Sequence, residues 1–280
     1  MPEALTLRRI RESGVVSVGY RDGSLPFSYL DERQRPVGYS IDLCMRIVDA
    51  VKQQLSLARL DVRLVPVTPA TRIALVANGA IDLECGVTTN TLERQKHVAF
   101  TVTTFVTHGK LLWKKASGFA SVADLRGRTV VSTVGTTNIQ QLGEFNLQRG
   151  LDLRIVAAGD DARAFRMVQS DRAAAYAMDE VLLKGSLASA PQPESYAISD
   201  DALSVEPYAI MVRKDDPGFK RLADDAIVAL YRSGEIRAIY RKWFESPVPP
   251  RGDNLRLPMS PALERAIAQP TDSGDPAAYR

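Results

Sequence analysis

Hydrophobic positions in the first part of the chain alternate between the spacing typical of strands and the spacing typical of helices. Residues 15–18 form a short apolar run typical of a buried strand, and apolar residues recur at helical spacing across 41–51. Residues 61–67 alternate apolar and polar side chains, and residues 80–85 predict another short strand. This β-α-β-α order predicts a mostly parallel sheet covered by helices.

The middle of the chain repeats the same α/β pattern. Residues 129–132 predict a strand that runs into a glycine turn and a helix. Further strands are predicted at 154–156 and 173–178, and a connection containing proline and serine follows at 188–193.

The C-terminal portion returns to helical spacing, first at residues 219–230 and again at 236–243. Beyond Pro247 the chain becomes proline-rich. We expect a surface strap there, with one short helix at 261–268 followed by a loose end.

Composition and charge limit the classes of protein to which this chain can belong. The chain has 280 residues, 45% apolar and 25% charged, which suits roughly two globular domains. A net charge of +3 without a basic block argues against nucleic acid as a partner. No apolar run approaches the ~20 residues that span a bilayer, and the first residues lack the pattern of a secretory signal. Taken literally the chain is cytoplasmic, and the alternative is a mature form whose signal has been removed.

The two cysteines, Cys44 and Cys85, are too few for a cysteine-held fold or a four-ligand zinc site. Two buried thiols acting as small apolar groups are one interpretation. A single disulfide is the other, and export would favour it.

Signatures of catalysis are sparse. The two histidines, His97 and His108, have no metal-binding spacing, and the nucleophile-elbow, phosphate-loop and dinucleotide-binding patterns are absent from the sequence. We therefore predict no catalytic residues, no metal and no cofactor.

Two segments combine a strand, a run of small polar residues and a predicted helix start. In the first, Asn90 and Glu93 form a capping-box pattern, and Arg94 falls in the first turn. Free backbone N–H groups at such a start attract carboxylates, and an arginine adds a bidentate fork. An ordinary capped helix with a surface arginine is an equally good interpretation of this motif alone.

The second segment is 132–138, where Gly135, Thr136 and Thr137 lead into a helix. Such capping chemistry is common, so this signal is weaker. Four charged residues near predicted strand ends are further candidates, although each alone is more typical of a solvated surface charge. They are Arg21, Arg72, Asp161 and Asp179.

Together these segments resemble the type II periplasmic binding proteins for amino acids, most closely the glutamate/aspartate-binding branch. The resembling stretches run in family order over nearly the whole chain. They are Gly38-Tyr39-Ser40, Glu84-Cys85-Gly86, Thr88-Thr89-Asn90, Glu93-Arg94-Gln95-Lys96, Gly135-Thr136-Thr137, Phe165-Arg166, Met178-Asp179, Arg213-Lys214-Asp215-Asp216-Pro217, Ser233-Gly234 and Lys242-Trp243-Phe244.

The resemblance implies a two-lobed α/β fold of the type II class, each lobe a mostly parallel sheet flanked by helices. Lobe 1 would comprise residues 1–108 and 206–280, and lobe 2 residues 109–205. Hinge strands near 111–113 and 208–210 would join them. It further implies a monomeric periplasmic protein that captures an amino acid by hinge closure and presents it to the permease of an ABC importer.

The resemblance also implies roles at matching positions. Arg94, with Thr89 and the helix start at 136–137, would hold the ligand α-carboxylate, and Asp179 would pair with its ammonium group. Arg21 and Arg72 would face the side-chain carboxylate of an acidic ligand. The full ligand-binding set is Arg21, Arg72, Thr88, Thr89, Arg94, Thr136, Thr137, Asp161 and Asp179.

Three positions depart from the acidic-ligand pattern. Pro69 replaces a serine, Val87 replaces a serine beside the ammonium site, and Asp161 stands in place of a histidine. A carboxylate at 161 would repel an anionic side chain unless Arg21, Arg72 or Arg163 neutralises it. An acidic amino acid is favoured, and a ligand with an amide, cationic or larger polar side chain is the alternative.

Two other functions remain open. One is an enzyme on the same fold, similar to cyclohexadienyl dehydratase, with Asp161 or Glu180 as acid or base. Turnover of a prephenate-type substrate would identify it. The other is a free-standing ligand sensor, which would require a separate receptor.

Overall fold

The computed structural model describes residues 4–280, which divide into two compact units. Unit 1 comprises the described residues up to Val106 together with Pro207–Arg280, and unit 2 comprises Thr107–Glu206.

Helices and strands alternate in the order that the hydrophobic pattern predicts. The α-helices of the described residues are α1 (Leu5–Ser13), α2 (Tyr39–Gln54), α3 (Arg72–Ala77), α4 (Thr137–Arg149), α5 (Asp161–Gln169), α6 (Glu180–Ala188), α7 (Pro217–Ser233), α8 (Glu235–Phe244) and α9 (Pro261–Ala268). The strands are β1 (Val15–Tyr20), β2 (Gly23–Ser24), β3 (Ser28–Leu30), β4 (Pro36–Val37), β5 (Asp61–Pro66), β6 (Leu83–Glu84), β7 (Val98–Phe100), β8 (Phe105–Lys114), β9 (Thr129–Thr133), β10 (Arg154–Ala158), β11 (Ala175–Asp179), β12 (Tyr196–Ile198), β13 (Ser204–Tyr208) and β14 (Met211–Arg213). Short 3-10 helices lie at Arg94–Lys96, Lys115–Ser117, Val122–Leu125, Pro193–Ser195 and Pro276–Tyr279.

The sheet of unit 1 has the strand order β5-β1-β6-β14-β7. β1 is parallel to β5 and β6, with Val15 opposite Asp61 and Val18 opposite Leu83, and β14 is antiparallel to β6 and β7. β2, β3 and β4 form a separate antiparallel sheet. The predicted strand at 80–85 is shorter than expected, since only Leu83–Glu84 pair.

The sheet of unit 2 has the order β10-β9-β11-β8-β12, with β13 also pairing with β8. β9, β10 and β11 are parallel, whereas β8 runs antiparallel to β11. Leu111 and Trp113 in β8 pack into the core of this unit. The boundary between the two units lies after Val106, near the beginning of β8, and a hinge near 111–113 stays a prediction.

Local sequence signals explain how the C-terminal helices begin and end. The carboxylate of Asp216 accepts a hydrogen bond from the Phe219 amide at 3.1 Å, and Pro217 occupies the first helical position of α7. Gly234 has φ of 77°, a left-handed conformation that glycine adopts without a steric penalty, and it separates α7 from α8.

The cysteines form a disulfide between Cys44 in α2 and Cys85, directly after β6. It ties a helix of unit 1 to the end of a central strand. Also within unit 1, Phe27, Tyr39, Phe105 and Phe244 form an aromatic cluster, in which the Phe27 and Phe105 ring centroids are 4.9 Å apart. Edge-on aromatic pairs of this kind add to the apolar burial of the core.

The end of the chain corrects the expectation of a loose terminus. The short helix α9 is confirmed at Pro261–Ala268, but the residues after it are anchored on unit 1. Tyr279 is buried, and its hydroxyl lies 2.6 Å from Thr103 Oγ1. The Thr103 amide also donates to the carbonyl of Thr271 at 2.8 Å.

Candidate functional site

In unit 1, polar residues gather where β1 and β6 end. The two strands are parallel, so their carboxyl ends lie at the same edge of the sheet. Arg21 follows β1 directly, and its amide donates to Ser28 Oγ at 2.9 Å. The chain after β6, residues 86–95, is here named the binding loop.

Three arginines approach the binding loop. Arg72, at the start of α3, donates through Nη1 to the carbonyl of Val87, and Arg94 Nη1 donates to the carbonyl of Thr89 at 2.8 Å. Arg21 is also close, because a Cβ placed on Gly86 would lie 2.9 Å from its Cγ. Unit 1 therefore brings together the three arginines that the sequence singled out.

Glu84 is a residue that sequence reasoning assigned no role. It is 1% exposed, its Oε2 accepts a hydrogen bond from Thr88 Oγ1 at 2.7 Å, and its Oε1 has no hydrogen-bond partner among residues 4–280. A Cβ on Gly86 would lie 2.2 Å from that Oε1, so glycine is needed at this position. The available signal was a carboxylate near the end of the predicted strand at 80–85.

The predicted helix start at Asn90 is wrong. Residues 91–97 form a turn and the single 3-10 helix Arg94–Lys96, not an α-helix. Asn90 Oδ1 accepts from Gln95 Nε2 at 2.9 Å instead of capping backbone amides. Glu93 is exposed and pairs with Lys96 at 2.5 Å, an interaction that lowers the pKa of Glu93. The helix-dipole contribution to anion binding therefore does not apply to this loop.

In unit 2, three helices begin at one edge of the sheet. β9, β10 and β11 are parallel, and each is followed by the N-terminus of a helix, α4, α5 and α6 respectively. The predicted helix start at 136–137 is confirmed, with Thr136 as the N-cap residue. Thr136 Oγ1 donates to the carbonyl of Thr133, and Thr137 Oγ1 donates to Glu206 Oε2, both at 2.7 Å.

Two carboxylates lie at the same edge. Asp161, half-buried at the first position of α5, accepts from Thr133 Oγ1 at 2.7 Å. Asp179, the N-cap residue of α6, is 4% exposed and accepts from Asn138 Nδ2 at 2.8 Å. Burial and the neighbouring Asp161 carboxylate raise the pKa of Tyr176 well above its usual value.

Sequence reasoning missed two buried polar residues beside these helix starts, Asn138 and Glu206. Asn138 is buried in α4, and its Oδ1 has no hydrogen-bond partner within the described chain. Glu206, also buried, accepts from Ser204 Oγ at 2.5 Å as well as from Thr137. No sequence signal pointed to Glu206, because it is far along the chain from the helix it supports.

The interpretation of isolated surface charges is wrong for three candidates. Arg21, Arg72 and Asp179 are 6%, 3% and 4% exposed. Burying an ionised group is costly unless partners compensate it, so such groups indicate a polar site. Among residues 4–280 no cluster of histidine, cysteine, aspartate or glutamate could hold a metal ion. In the same residues no helix is long and apolar enough to cross a membrane.

Two α/β units, one with clustered arginines and the other with carboxylates at helix starts, define a binding protein for a small polar solute. The chain matches the bacterial extracellular solute-binding proteins of family 3 over residues 16–246, and it belongs to that family. The similar curated proteins are solute-binding proteins rather than enzymes, which favours the binding function over the enzyme alternative.

The similar proteins share nearly the whole chain. An L-glutamate/L-aspartate-binding protein of Pseudomonas aeruginosa is 46% identical over 268 residues, covering 95% of this chain and 89% of its own length. A glutamate/aspartate import solute-binding protein of Escherichia coli K12 is 42% identical, covering 95% and 88%. A crystal structure of a mutant of ArgBP from T. maritima matches with a TM-score of 0.76 and 27% identity, covering 86% of this chain and all of that one.

Proposed function

We propose that this protein captures an acidic amino acid, glutamate or aspartate, for an ABC importer. The observation that carries the proposal is the convergence of Arg21, Arg72 and Arg94 on one loop of unit 1. Two relatives more than 40% identical over 95% of the chain are named for the same ligands, which supports it.

The charges of unit 1 suit a ligand with two carboxylates. Three arginines lie beside the binding loop together with one buried glutamate, Glu84. Arginine binds carboxylates through a planar fork of N–H groups. We assign the α-carboxylate to Arg94 with Thr88 and Thr89, and the side-chain carboxylate to Arg21 and Arg72.

The charges of unit 2 suit the ammonium group. Asp179 accepts a hydrogen bond from Asn138, and a buried carboxylate at this position matches the charge of an ammonium group. Thr136 and Thr137 at the start of α4 supply backbone N–H groups for the α-carboxylate.

The departures from the acidic-ligand pattern bear on ligand choice. Val87 is buried in the binding loop, and its carbonyl accepts a hydrogen bond from Arg72. Arg72 is therefore positioned without the two serine hydroxyls that Pro69 and Val87 replace. Asp161 disfavours a second carboxylate close to it. We therefore assign recognition of the ligand side chain to unit 1.

We further propose that the protein acts as a monomer in the periplasm and delivers its ligand to a membrane permease. Closure of the two units on the ligand would present a changed surface to that partner, in a hinge motion.

Isothermal titration calorimetry of ligand-stripped protein tests the proposed ligand. Glutamate and aspartate are expected to bind at least about tenfold more tightly than glutamine, asparagine and arginine, a difference of about 1.4 kcal/mol. Tightest binding of an amide or of arginine would contradict the acidic-ligand assignment and leave the amino-acid class in place. Absence of heat with every amino acid would overturn the proposed function itself.

A further inference from the structure

The last residues of the chain contact the binding loop. The C-terminal strap, residues 270–280, follows α9 and lies beyond residue 246, where the match to the family ends. The carbonyl of Asp272 accepts two hydrogen bonds from the loop, one from Asn90 Nδ2 at 2.9 Å and one from Gln95 Nε2 at 3.0 Å.

The strap also packs against the backbone of the loop. A Cβ placed on Gly274 would lie 2.8 Å from the amide nitrogen of Leu92 and from the carbonyl carbon of Thr91. Real Cβ atoms do not approach so closely, and backbone atoms cannot swing aside as a flexible side chain would. Gly274 therefore allows the strap to lie directly on the residues between Thr89 and Arg94.

The strap is itself fixed to unit 1. Asp272 Oδ2 pairs with Lys220 Nζ at 2.8 Å, and the hydroxyl of Tyr279 donates to the carbonyl of Ser273 at 2.7 Å. Buried Tyr279 reaches Thr103, and Thr103 bonds the carbonyl of Thr271. The contacts to the loop thus come from an anchored segment.

We propose that the C-terminal strap braces the binding loop, with Gly274 and Gln95 as positioning residues for ligand capture. This inference rests on the proposed function, because it takes Thr89 and Arg94 of that loop as ligand-binding residues. A loop ordered before the ligand arrives does not lose its freedom on binding, and this pre-organisation raises affinity.

The test compares three variants with the wild-type protein. Gly274→Ala inserts a methyl group between the strap and the loop backbone. Gln95→Ala leaves the strap unchanged and removes a donor that serves both Asp272 of the strap and Asn90 within the loop. The matched control is Gly143→Ala in α4, where an added Cβ meets nothing within 4 Å.

Two measurements are made below the unfolding temperature. Hydrogen exchange without ligand is expected to rise at least about fivefold in residues 86–95 for Gly274→Ala and Gln95→Ala, with β1 and β9 unchanged. Titration with glutamate is expected to show about tenfold weaker binding, with a more unfavourable binding entropy. The control is expected to match the wild type in both.

Affinity and loop exchange within twofold of the wild type in both variants would overturn the proposal. Faster exchange spread evenly over the unit 1 strands would also overturn it, because that pattern indicates general destabilisation. If the wild type binds no amino acid, the proposed function fails, while the exchange comparison still decides whether the strap braces the loop. Should Gly274→Ala not fold, Asp272→Ala decides the question, because it removes the Lys220 ion pair that anchors the strap and leaves the side chains of the loop unchanged.

Discussion

Single side chains among the candidate binding residues are oriented by the backbone or side-chain groups they contact. Arg72 and Arg94 each donate to a carbonyl of the binding loop, which limits the directions their guanidinium groups can take. Asp179 is oriented by an amide donor from α4. Side chains fixed in this way lose little rotamer entropy when a ligand binds.

At this scale we predict that Arg94→Ala abolishes most of the affinity for the ligand. Loss of a charged hydrogen-bonding partner costs about 2 to 5 kcal/mol, or roughly a thirtyfold to several-thousandfold weaker Kd. Calorimetry with glutamate measures the loss, and circular dichroism checks the fold. Lys96→Ala, an exposed residue of the same 3-10 helix, is the control and should bind normally. Wild-type affinity in Arg94→Ala would remove Arg94 from the site.

Elements are joined through polar groups as well as through apolar packing. The segment leading into β8 is held by tyrosine hydroxyls, since Tyr39 donates to the carbonyl of Thr104 at 2.8 Å and Tyr231 to that of Thr103 at 2.6 Å. Burial raises the pKa of both tyrosines well above the usual value. The strap after α9 reaches the same segment through Tyr279.

These tyrosines predict a loss of stability in alkali. Their folded-state pKa values are raised, so the stabilisation is complete below the unfolded value of about 10. Above that pH the unfolded chain releases phenolic protons that the folded chain retains. The free energy of unfolding should then fall by about 1.4 kcal/mol per pH unit for each such tyrosine.

Urea unfolding at pH 8, 10 and 11 measures this slope. Tyr231→Phe should be less stable at pH 8, because it loses a hydrogen bond worth about 1 kcal/mol. Its stability should nevertheless fall less steeply than that of the wild type above pH 10. Equal slopes for the two proteins would show that Tyr231 does not contribute to the alkaline loss.

The whole molecule consists of two units with separate cores, and each contains one of the two tryptophans. Trp243 lies in α8 of unit 1 and Trp113 in β8 of unit 2. The Cys44–Cys85 disulfide lies entirely within unit 1, closing a loop with a sequence separation of 41. A cross-link of that span restricts the unfolded chain and stabilises the fold by about 4 kcal/mol in the chain-entropy description.

Replacing both cysteines by serine should therefore destabilise unit 1 selectively. Variants with a single tryptophan, Trp113→Phe or Trp243→Phe, report the unfolding of one unit each by fluorescence. The double serine substitution is expected to lower the urea midpoint reported by Trp243 and to leave that reported by Trp113 in place. An equal shift of both signals would show that the units unfold as one cooperative body.

The sequence alone determined the order of elements and the α/β class, and it singled out the residues to which we assign ligand binding. Those properties depend on local periodicity, turn residues and charge, which can be recognised within a few residues of sequence. The helix start at 136–137 and the short helix at 261–268 were predictable for this reason.

Only the tertiary structure decided which distant groups meet. The motif at Asn90 locally predicts a helix cap, but no α-helix forms there. The side-chain amide of Asn90 instead donates to the carbonyl of Asp272, which is 182 residues further along the chain. Glu206 accepts a hydrogen bond from Thr137, in a helix that is remote in sequence. The polar, proline-rich composition of the final residues predicts a loose end. In the structure, the buried Tyr279 and a few hydrogen bonds to carbonyl groups fix them on unit 1. Long-range hydrogen bonds of this kind leave no periodic signal, and this is why the fold was predictable while the bracing of the binding loop was not.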